Sequence, residues 1–542
     1  MALAAAVLLP LIPLQLRAWA DGGDGFRRFA SMPNLGKILF TTLQLGVGAL
    51  VVGMVIGTIL ALCTYTMSPK ARSFLEFTPV LPMIVPAVAH VVGFVFLFSP
   101  DNGYVNMLLR ATPFFDDAET GPINVYTTQW IIFYTGTHLA SFVYMFIYTG
   151  LRNLGSGYTL AARVNGASAV RALFTVTLPL LRPSFVYAGI MVFLLALGQF
   201  TGPLILGSRE GVTVLTTRMY DVSSEHPIDY ALAAAMGSPL IVLAIFLIIF
   251  QRKMLGNQNR FVGEGTSSID HRTINPWLSK LSASVVIAYV TVAAVLPILA
   301  LVYVALSPYW SGSFNLDGLT LTNFSTVLSD VKVSNAIVTT LTVSVIGVAI
   351  VIPIGMLIAL GIYNRDRLPK LVGGLLDVLA NLPLTVPAAL LGFGFLFSMA
   401  SPEVGLYGTS ISLILAYIII MIPYSVRYQS ATLVAMGRQT VEASQVAGAG
   451  PIRTFLMVIL PLARAGIVSS AAIMFVLLSH EFAVSLLLRS PGTNVLSVVL
   501  YDEYNSGTYP RVAVIALLMT VVTAVGVIVA MLFGGRRALE KL

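Results

Sequence analysis

Charged residues are scarce in this chain. They make up 10% of its 542 residues, whereas 57% are hydrophobic and the mean hydropathy is +0.89. Soluble domains carry about 25% charged residues, so this chain has too few to solvate a surface of its size. The sequence also has no long polar block that would fold as a separate soluble domain. The composition therefore predicts that the lipid bilayer surrounds most of the chain.

Other absences exclude whole classes of function. The single cysteine, Cys63, excludes an internal disulfide and lies in an apolar run, where packing is its expected role. The five histidines are scattered, so no catalytic or metal site is expected. The sequence has no basic patch interleaved with aromatic residues, the pattern that would indicate nucleic-acid binding. No G-x-x-x-x-G-K-[ST] phosphate loop is present, so we expect this chain neither to hydrolyse ATP nor to hold a cofactor.

What the chain does contain is a series of apolar runs separated by polar, proline or glycine breaks. The runs are continuous and not alternating, which favours membrane helices over barrel strands. The first run is short and resembles a signal-peptide core, but no convincing cleavage site follows it, so a membrane helix is preferred. Twelve spans are predicted, at 2–17, 38–64, 77–98, 129–149, 183–207, 231–251, 281–306, 336–362, 374–399, 411–432, 465–488 and 511–534.

Basic residues favour one side of this topology. With the N-terminus in the cytoplasm, 21 of the 31 lysines and arginines fall in inside segments, and the acids lie mostly in outside loops. The positive-inside rule therefore predicts that both termini are cytoplasmic.

The chain repeats itself in a fixed order. Thr41-Thr42-Leu43 recurs 298 residues later, and the Leu-Pro…Val-Pro block at 81–86 recurs at 382–387. A glycine followed by Leu-Pro recurs at an offset of 282, and Val-Leu…Tyr-Asp at an offset of 281. Six spans per half give both halves the same orientation, as a parallel repeat. The predicted division is a first repeat at 1–256, a cytoplasmic linker at 257–280 and a second repeat at 281–542.

Two inside loops, at 151–182 and 433–464, are longer than a connection requires. Each predicts a short alanine-rich helix, a turn at Gly166 or Gly448, and a second helix that ends at Leu-Pro, from which the next span starts. The matching residues of the two copies are Ala161, Ala162, Gly166, Leu178 and Pro179, and Glu442, Ala443, Ser444, Gly448, Leu460 and Pro461.

This spacing resembles the EAA motif of binding-protein-dependent ABC importer permeases, which reads Glu-Ala-Ala, three residues, Gly, nine residues, Ile, one residue and Leu-Pro. The second copy matches it except at Ser444, which replaces alanine, and at Val458, which replaces isoleucine. The first copy has Leu160 where the motif has glutamate. Among such permeases, those with two fused halves that import ferric iron are the most similar.

The resemblance implies a type I ABC importer permease fold in the bacterial inner membrane. It implies that the two loops are coupling helices docked on two copies of a cytoplasmic ATPase, which binds ATP and magnesium. An extracytoplasmic solute-binding protein would deliver the cargo, with ferric iron as the specific expectation and thiamine, phosphonate or another small solute as alternatives. Glu442 has a second explanation, since an acid at a helix start also complements the helix dipole.

Polar residues within spans are candidates for the translocation path. Gln199 and Glu481 are related by the 282 offset, and each is followed by a phenylalanine. Their segments predict a path or gate, although hydrogen bonds between helices would explain them equally. The predicted path residues are Gln199, Phe200, His480, Glu481 and Phe482.

Four other ionisable residues have simpler explanations. Glu76 and Asp377 occupy equivalent positions, where a solvated or helix-start role is expected. His90 and His138 are expected to be buried and hydrogen-bonded.

Two rival classes remain on sequence grounds. A twelve-span secondary transporter would need no ATPase, but the long inside loops and the few charges within spans argue against it. A membrane-embedded enzyme would need clustered metal ligands, which the sequence does not show.

Overall fold

A computed structural model of the protein describes residues 7–115, 119–154, 157–255, 275–364, 369–401 and 404–534. Within these ranges the regular structure is helical and contains no strand. The prediction of an all-α membrane fold is therefore confirmed. Most of the predicted linker, residues 257–274, lies outside the described residues.

The helices of the first half alternate between long membrane helices and short connecting ones. They are α1 Leu11–Ala30, α2 Leu35–Tyr65, α3 Pro69–Leu75, α4 Leu81–Ile84, α5 Ala87–Phe98, α6 Tyr104–Arg110, α7 Thr128–Leu154, α8 Gly157–Val164, α9 Ala169–Ala172, α10 Leu178–Leu180, α11 Arg182–Leu197, α12 Thr201–Leu206, α13 Leu215–Ser224 and α14 Tyr230–Leu255.

The second half follows the same plan. Its helices are α15 Pro276–Val290, α16 Leu296–Leu306, α17 Thr322–Ser329, α18 Val331–Tyr363, α19 Lys370–Thr385, α20 Ala388–Met399, α21 Ser410–Met436, α22 Arg438–Val446, α23 Pro451–Thr454, α24 Leu460–Ser479, α25 Ala483–Leu487, α26 Leu496–Asn505 and α27 Tyr509–Gly534.

The described part of the chain holds nine helices long and apolar enough to cross a membrane, or up to eleven if each of two bent pairs is one span. The predicted span at 2–17 is not among them. Helix α1 is interrupted at Ala20–Gly23, where three successive residues have positive φ. Residues 2–6 of that prediction lie outside the described residues.

The predicted spans 77–98 and 374–399 are not straight helices. In the first, the segment Pro69–Ile84 meets α5 at 94°, and in the second, Val372–Leu384 meets α20 at 101°. The cause is the Val-Pro pair at each bend. Proline pushes the residue before it out of the helical region, and Val85 accordingly has φ −70° and ψ 129°. The repeated Leu-Pro…Val-Pro block therefore encodes a right-angle break.

Contacts divide the chain into two compact units. One contains residues 32–218 and 238–319, and the other contains residues 1–31, 219–237 and 320–542. Each unit therefore includes the first helix of the other sequence repeat. In the first unit, α16 packs against α5, and Pro297 touches Gly93 so closely that an added Cβ at Gly93 would lie 2.8 Å from it. In the second unit, α1 packs against α20. The predicted boundaries at 256 and 281 describe the sequence repeat and stay a prediction.

The matching threonines of the two repeats have the same structural role. The Thr42 hydroxyl donates to the Ile38 carbonyl and accepts the Leu215 N–H at 3.0 Å. In the other unit, the Thr340 hydroxyl donates to the Ala336 carbonyl and accepts the Leu496 N–H at 2.9 Å. Each threonine thus fastens the start of a short helix, α13 or α26, to a long membrane helix. The repeated Thr-Thr-Leu and Val-Leu blocks are partners in one contact.

Candidate functional site

The first of the two long loops turns sharply at a glycine. Gly166, just after α8, has φ +85°, a conformation that costs glycine little. Its N–H donates to the Arg163 carbonyl at 3.0 Å, and the Ala167 N–H reaches back to the Ala162 carbonyl at 3.0 Å. This pair of bonds is a Schellman motif, which satisfies the last carbonyls of a helix. The hydroxyl of Ser168 then caps α9.

The second loop has the same backbone frame. Gly448 has φ +82°, and its N–H donates to the Gln445 carbonyl at 2.9 Å. The Ala449 N–H reaches the Ser444 carbonyl at 3.1 Å. A side-chain bond is added here, because the hydroxyls of Ser444 and Thr454 lie 3.0 Å apart. The departure of Ser444 from the EAA pattern is therefore matched by a partner across the turn.

A π-helical turn precedes the Leu-Pro pair in both loops. These turns run from Leu173 to Thr177 and from Phe455 to Ile459. A proline has no N–H to continue the regular ladder, and wider i→i+5 turns often occur where the ladder is disturbed. In the second loop the helix then continues from Leu460 as α24, so Pro461 does not end it as predicted. In the first, a break at Leu181 precedes α11.

Both loops expose apolar side chains at equivalent positions. Val164 is 87% exposed and its counterpart Val446 is 90% exposed. Further matched pairs are exposed as well, namely Val170 with Ile452 and Phe174 with Leu456. We call these side chains, together with Leu160 and Glu442, the docking faces of the two loops. Exposed apolar residues at the same places on two loops are what the predicted docking of a partner requires, and that docking stays a prediction.

Gln199 and Glu481 do not lie within a continuous helix, contrary to the prediction. Helix α11 ends at Leu197 and α12 begins at Thr201, while α24 ends at Ser479 and α25 begins at Ala483. Both residues therefore occupy a break between two helices.

Hydrogen bonds of the Glu481 side chain explain the break between α24 and α25. The Glu481 carboxylate accepts the N–H groups of Val484 and Ser485, both at 2.9 Å, and the Ser485 hydroxyl at 2.6 Å. The first N–H groups of α25 are therefore accepted by a side chain and not by the backbone of a preceding helical turn. The backbone carbonyls of both break residues are also engaged, Gln199 by Thr216 and Glu481 by Ser497.

The other predicted path residues lie at the same two breaks. Phe200 and Phe482 are each 3% exposed, and the Phe482 ring packs against Tyr501. His480 ends α24. The structure shows what holds these residues, and their contact with a transported solute stays a prediction.

Of the four ionisable residues noted in the sequence, Glu76 and His90 bond to neighbouring helices, whereas Asp377 is bonded within its own helix. The Tyr148 hydroxyl donates to the Glu76 carboxylate at 2.9 Å. Asn381 donates to the Asp377 carbonyl at 2.8 Å. His90 is fully buried and its Nε2 lies 2.6 Å from the Ala293 carbonyl.

The position of the Ala293 carbonyl explains why a hydrogen-bond donor is needed at His90. Four residues after Ala293 stands Pro297, which has no N–H to donate in the regular helical pattern. His90 donates in its place. His138 lies beside it, with ring centroids 5.3 Å apart.

Two features of the structure were not anticipated from the sequence. Arg72 is 7% exposed and donates to the carbonyls of Thr64 and Met67 at the end of α2. Ion pairs also join four segments of the second half in a network of two neighbouring groups. Its charged members are Asp330, Lys332, Arg489, Asp502, Glu503 and Arg511.

The sequence gives no direct signal for these hydrogen bonds and ion pairs, because only the fold brings their partner residues together. Among the described residues, no three His, Cys, Asp or Glu side chains form a possible metal site.

Both repeats of the chain are similar to one family of known transport proteins. Residues 53–255 and 351–537 match, one per repeat, the family described as binding-protein-dependent transport system inner membrane component. These two segments cover more than half of the chain. The chain belongs to this family of ABC importer permeases.

Named relatives support the assignment. The chain is 21% identical to the ferric transport system permease protein of Actinobacillus pleuropneumoniae, over 96% of this chain and 75% of that protein. A Haemophilus influenzae protein, provisionally named a ferric transport system permease, is also 21% identical, over 91% of this chain and 77% of its own length. The diacetylchitobiose uptake permease of Streptomyces coelicolor is 27% identical, over 43% of this chain and 70% of its own.

One solved structure is also similar. It is a bacterial alginate ABC transporter in complex with a periplasmic protein that holds an alginate pentasaccharide. The TM-score is 0.41 and the identity 21%, over 46% of this chain and 88% of that one.

The family membership carries several conclusions. The chain is a multi-pass inner-membrane permease built from two repeats of one family unit. It is a transport subunit and not an enzyme, as its relatives are. Its family acts with a binding protein, as the family description states.

Proposed function

We propose that this permease forms the path by which ferric iron, delivered by an extracytoplasmic binding protein, enters the cell. One observation carries the choice of cargo. The ferric permeases match across 96% and 91% of this chain and so across both repeats, whereas the diacetylchitobiose permease matches 43% of it. Thiamine, phosphonate or another small solute handled by the same machinery is the alternative.

We further propose that the energy comes from two copies of a separate ATPase subunit, which binds ATP and magnesium. The docking faces support this, since two loops with one backbone frame present matched exposed side chains. A repeat of this kind fits two copies of one partner. The excess of basic residues in the predicted inside segments supports a cytoplasmic position for the loops and both termini.

Transport in vesicles tests the energy source. The full chain is reconstituted with its partner ATPase and binding protein, with ATP enclosed or omitted. ATP-dependent uptake in the absence of any ion gradient is the expected result. Uptake driven by a proton or sodium gradient without the ATPase would instead show a secondary transporter.

The same vesicles test the cargo. The binding protein is loaded in turn with ferric iron, thiamine or a phosphonate, and the rate of uptake is measured for each. Ferric iron is expected to stimulate ATP hydrolysis and to accumulate inside. If only thiamine or phosphonate does so, the ferric assignment is wrong and the importer assignment stands.

A further inference from the structure

Three aromatic rings of the first unit meet where α16 ends. Tyr303, in the last turn of α16, packs against Tyr104 at the start of α6, with ring centroids 5.2 Å apart. Phe314, in the loop that follows α16, stacks on Tyr104 at 5.0 Å and lies 5.3 Å from Tyr303. Leu108 lies one helical turn after Tyr104 and therefore on the same face of α6. The three rings thus join α6, the end of α16 and the following loop.

The loop after α16 is held in place by contacts within the unit, yet it exposes large apolar side chains. The Tyr303 hydroxyl accepts the Asn315 N–H at 2.7 Å. Trp310 is buried and its ring packs on Phe96, with centroids 4.9 Å apart. We call the exposed side chains beside these contacts the apolar edge. They are Leu108, Tyr309, Phe314 and Leu316, which are 56%, 66%, 53% and 72% exposed.

The apolar edge lies on the side of the first unit opposite the first long loop. Helix α16 begins beside the end of α2, where the Ser279 hydroxyl accepts the Ser68 N–H at 2.8 Å. That end of α2 is near the first long loop, because Tyr65 and Tyr158 line one small cavity. The span Pro276–Leu306 has 31 residues and so is about 46 Å long. A bilayer with its headgroups is about 40–45 Å thick, so the far end of α16 reaches the second headgroup layer.

The edge also continues the lipid-facing side of α16. Val295, Leu299 and Val302 follow one another at steps of four and three residues, and all are exposed. They form one apolar face of the helix, and in a membrane span such a face contacts lipid. Tyr303 stands four residues after Leu299 and so lies on that face, where it carries Phe314 of the edge. The edge is therefore at the lipid-facing surface of the unit.

Charge separates the edge from the rest of this side of the unit. The ten residues 307–316 contain no charged residue. Nearby, Arg209 pairs with Asp101, and Asn124 donates to the exposed Glu210 at 3.0 Å. Soluble protein partners are steered by complementary charges, whereas aromatic side chains without charge are typical of the interface between membrane and water. The composition of the edge therefore favours lipid over a soluble protein.

We propose that the apolar edge binds the lipid surface, with Tyr309, Phe314 and Leu316 inserted among the headgroups and upper acyl chains of the leaflet opposite the first long loop. Through the three packed rings, this insertion fixes the depth of α6 and of the far end of α16. Because the loop has no basic residue, the contact requires no anionic lipid and changes little with salt. The inference depends on neither the proposed cargo nor the proposed energy source.

Quenching by a labelled lipid tests this insertion in the full-length permease. In a Cys63→Ala background, Leu316→Cys places a single thiol on the edge, and Glu210→Cys is the matched control on the charged part of the same side. Each thiol carries a nitrobenzoxadiazole fluorophore, in phosphatidylcholine nanodiscs with or without a phosphatidylcholine that bears a headgroup nitroxide. We expect the nitroxide to lower the emission at position 316 by about twofold and to change that at position 210 little. The effect should be the same at about 50 and about 500 mM salt.

Two further variants make the result decisive. Tyr309→Cys gives a second position on the edge and should be quenched like Leu316→Cys. Tyr309→Asp, added to the Leu316→Cys protein, places a charge on the edge and should reduce the quenching at position 316. Emission that the nitroxide leaves unchanged at both positions 309 and 316, or that it lowers equally at position 210, would overturn the proposal. Emission at position 316 that responds to the binding protein and not to the nitroxide would also overturn it, and would show a docking surface for that protein instead.

Discussion

Arg511 links three segments of the second half, and its removal gives a quantitative test of how they are held. Its guanidinium donates to Asp330, just before α18, and to Glu503 near the end of α26, with Nε and Oε2 3.1 Å apart. The side chains of Arg511, Asp330 and Glu503 are only 24%, 28% and 14% exposed. Substitution by methionine keeps the length of the side chain and leaves two partly buried carboxylates without this partner.

The loss of stability expected on removing Arg511 lies between two limits. Exposed ion pairs contribute about 0.2–1 kcal/mol, whereas breaking a buried pair costs about 3–5 kcal/mol. At this intermediate burial we expect Arg511→Met to cost about 2 kcal/mol of unfolding free energy. For a large domain this corresponds to a lowering of Tm by about 4–8 °C. The matched control is Arg209→Met, because the Arg209–Asp101 pair is 3.9 Å long and about half exposed.

The dependence on pH gives the test its specificity. The hydrogen bond from Arg511 is the main cause that lowers the pKa of the Asp330 carboxyl in the folded protein. A lowered folded pKa stabilises the protein above the unfolded pKa, and this stability is lost as pH falls through the folded pKa. The difference in Tm between wild type and Arg511→Met, measured in detergent at one scan rate, should therefore shrink from pH 7 to about pH 3. A difference that is absent at pH 7, or equal at both pH values, would refute the reasoning.

Three other substitutions test the second loop, the break at Glu481 and the buried His90. Gly448→Ala should lower the free energy of unfolding by about 1 kcal/mol, because Gly448 has a φ of +82°, and it should lower transport-coupled ATP hydrolysis. The control Gly450→Ala should be neutral in both assays, because Gly450 has a negative φ and an added Cβ would have no atom within 4 Å. Glu481→Gln leaves one carbonyl oxygen to accept from three donors, so we expect a fall in Tm. A changed pH profile of transport with an unchanged Tm would instead favour contact between Glu481 and the solute. His90→Leu leaves the Ala293 carbonyl without its donor and should cost about 1–3 kcal/mol by chemical denaturation, and equal stability to wild type would show that the bond contributes nothing.

The features that could be predicted from sequence are those encoded by local chemistry. The glycines at 166 and 448 mark the turns of the loops because their positive φ is a conformation that favours glycine. Repetition in the sequence also marked a structural contact, since Thr42 and Thr340 accept equivalent backbone N–H groups in the two repeats. Apolar length alone placed the long helices α2, α7, α18 and α21 to within a few residues.

The features that were missed have two kinds of cause, namely local effects that hydropathy does not register and contacts between distant residues. Apolar runs 77–98 and 374–399 are long enough for a straight span, and hydropathy does not register that a Val-Pro pair bends them by about a right angle. The break at Glu481 depends on a side chain that bonds to the backbone three and four residues ahead. The network around Arg511 joins residues 181 positions apart.

The packing of α1 against α20 has a consequence for biosynthesis. The Ser398 hydroxyl donates to the Leu9 carbonyl, across a separation of 389 residues. At about 5–20 residues per second, a ribosome needs roughly 20–80 s to make the intervening chain. During that time the nascent N-terminal helix lacks its final neighbour, so its final packing has to wait until α20 has been made.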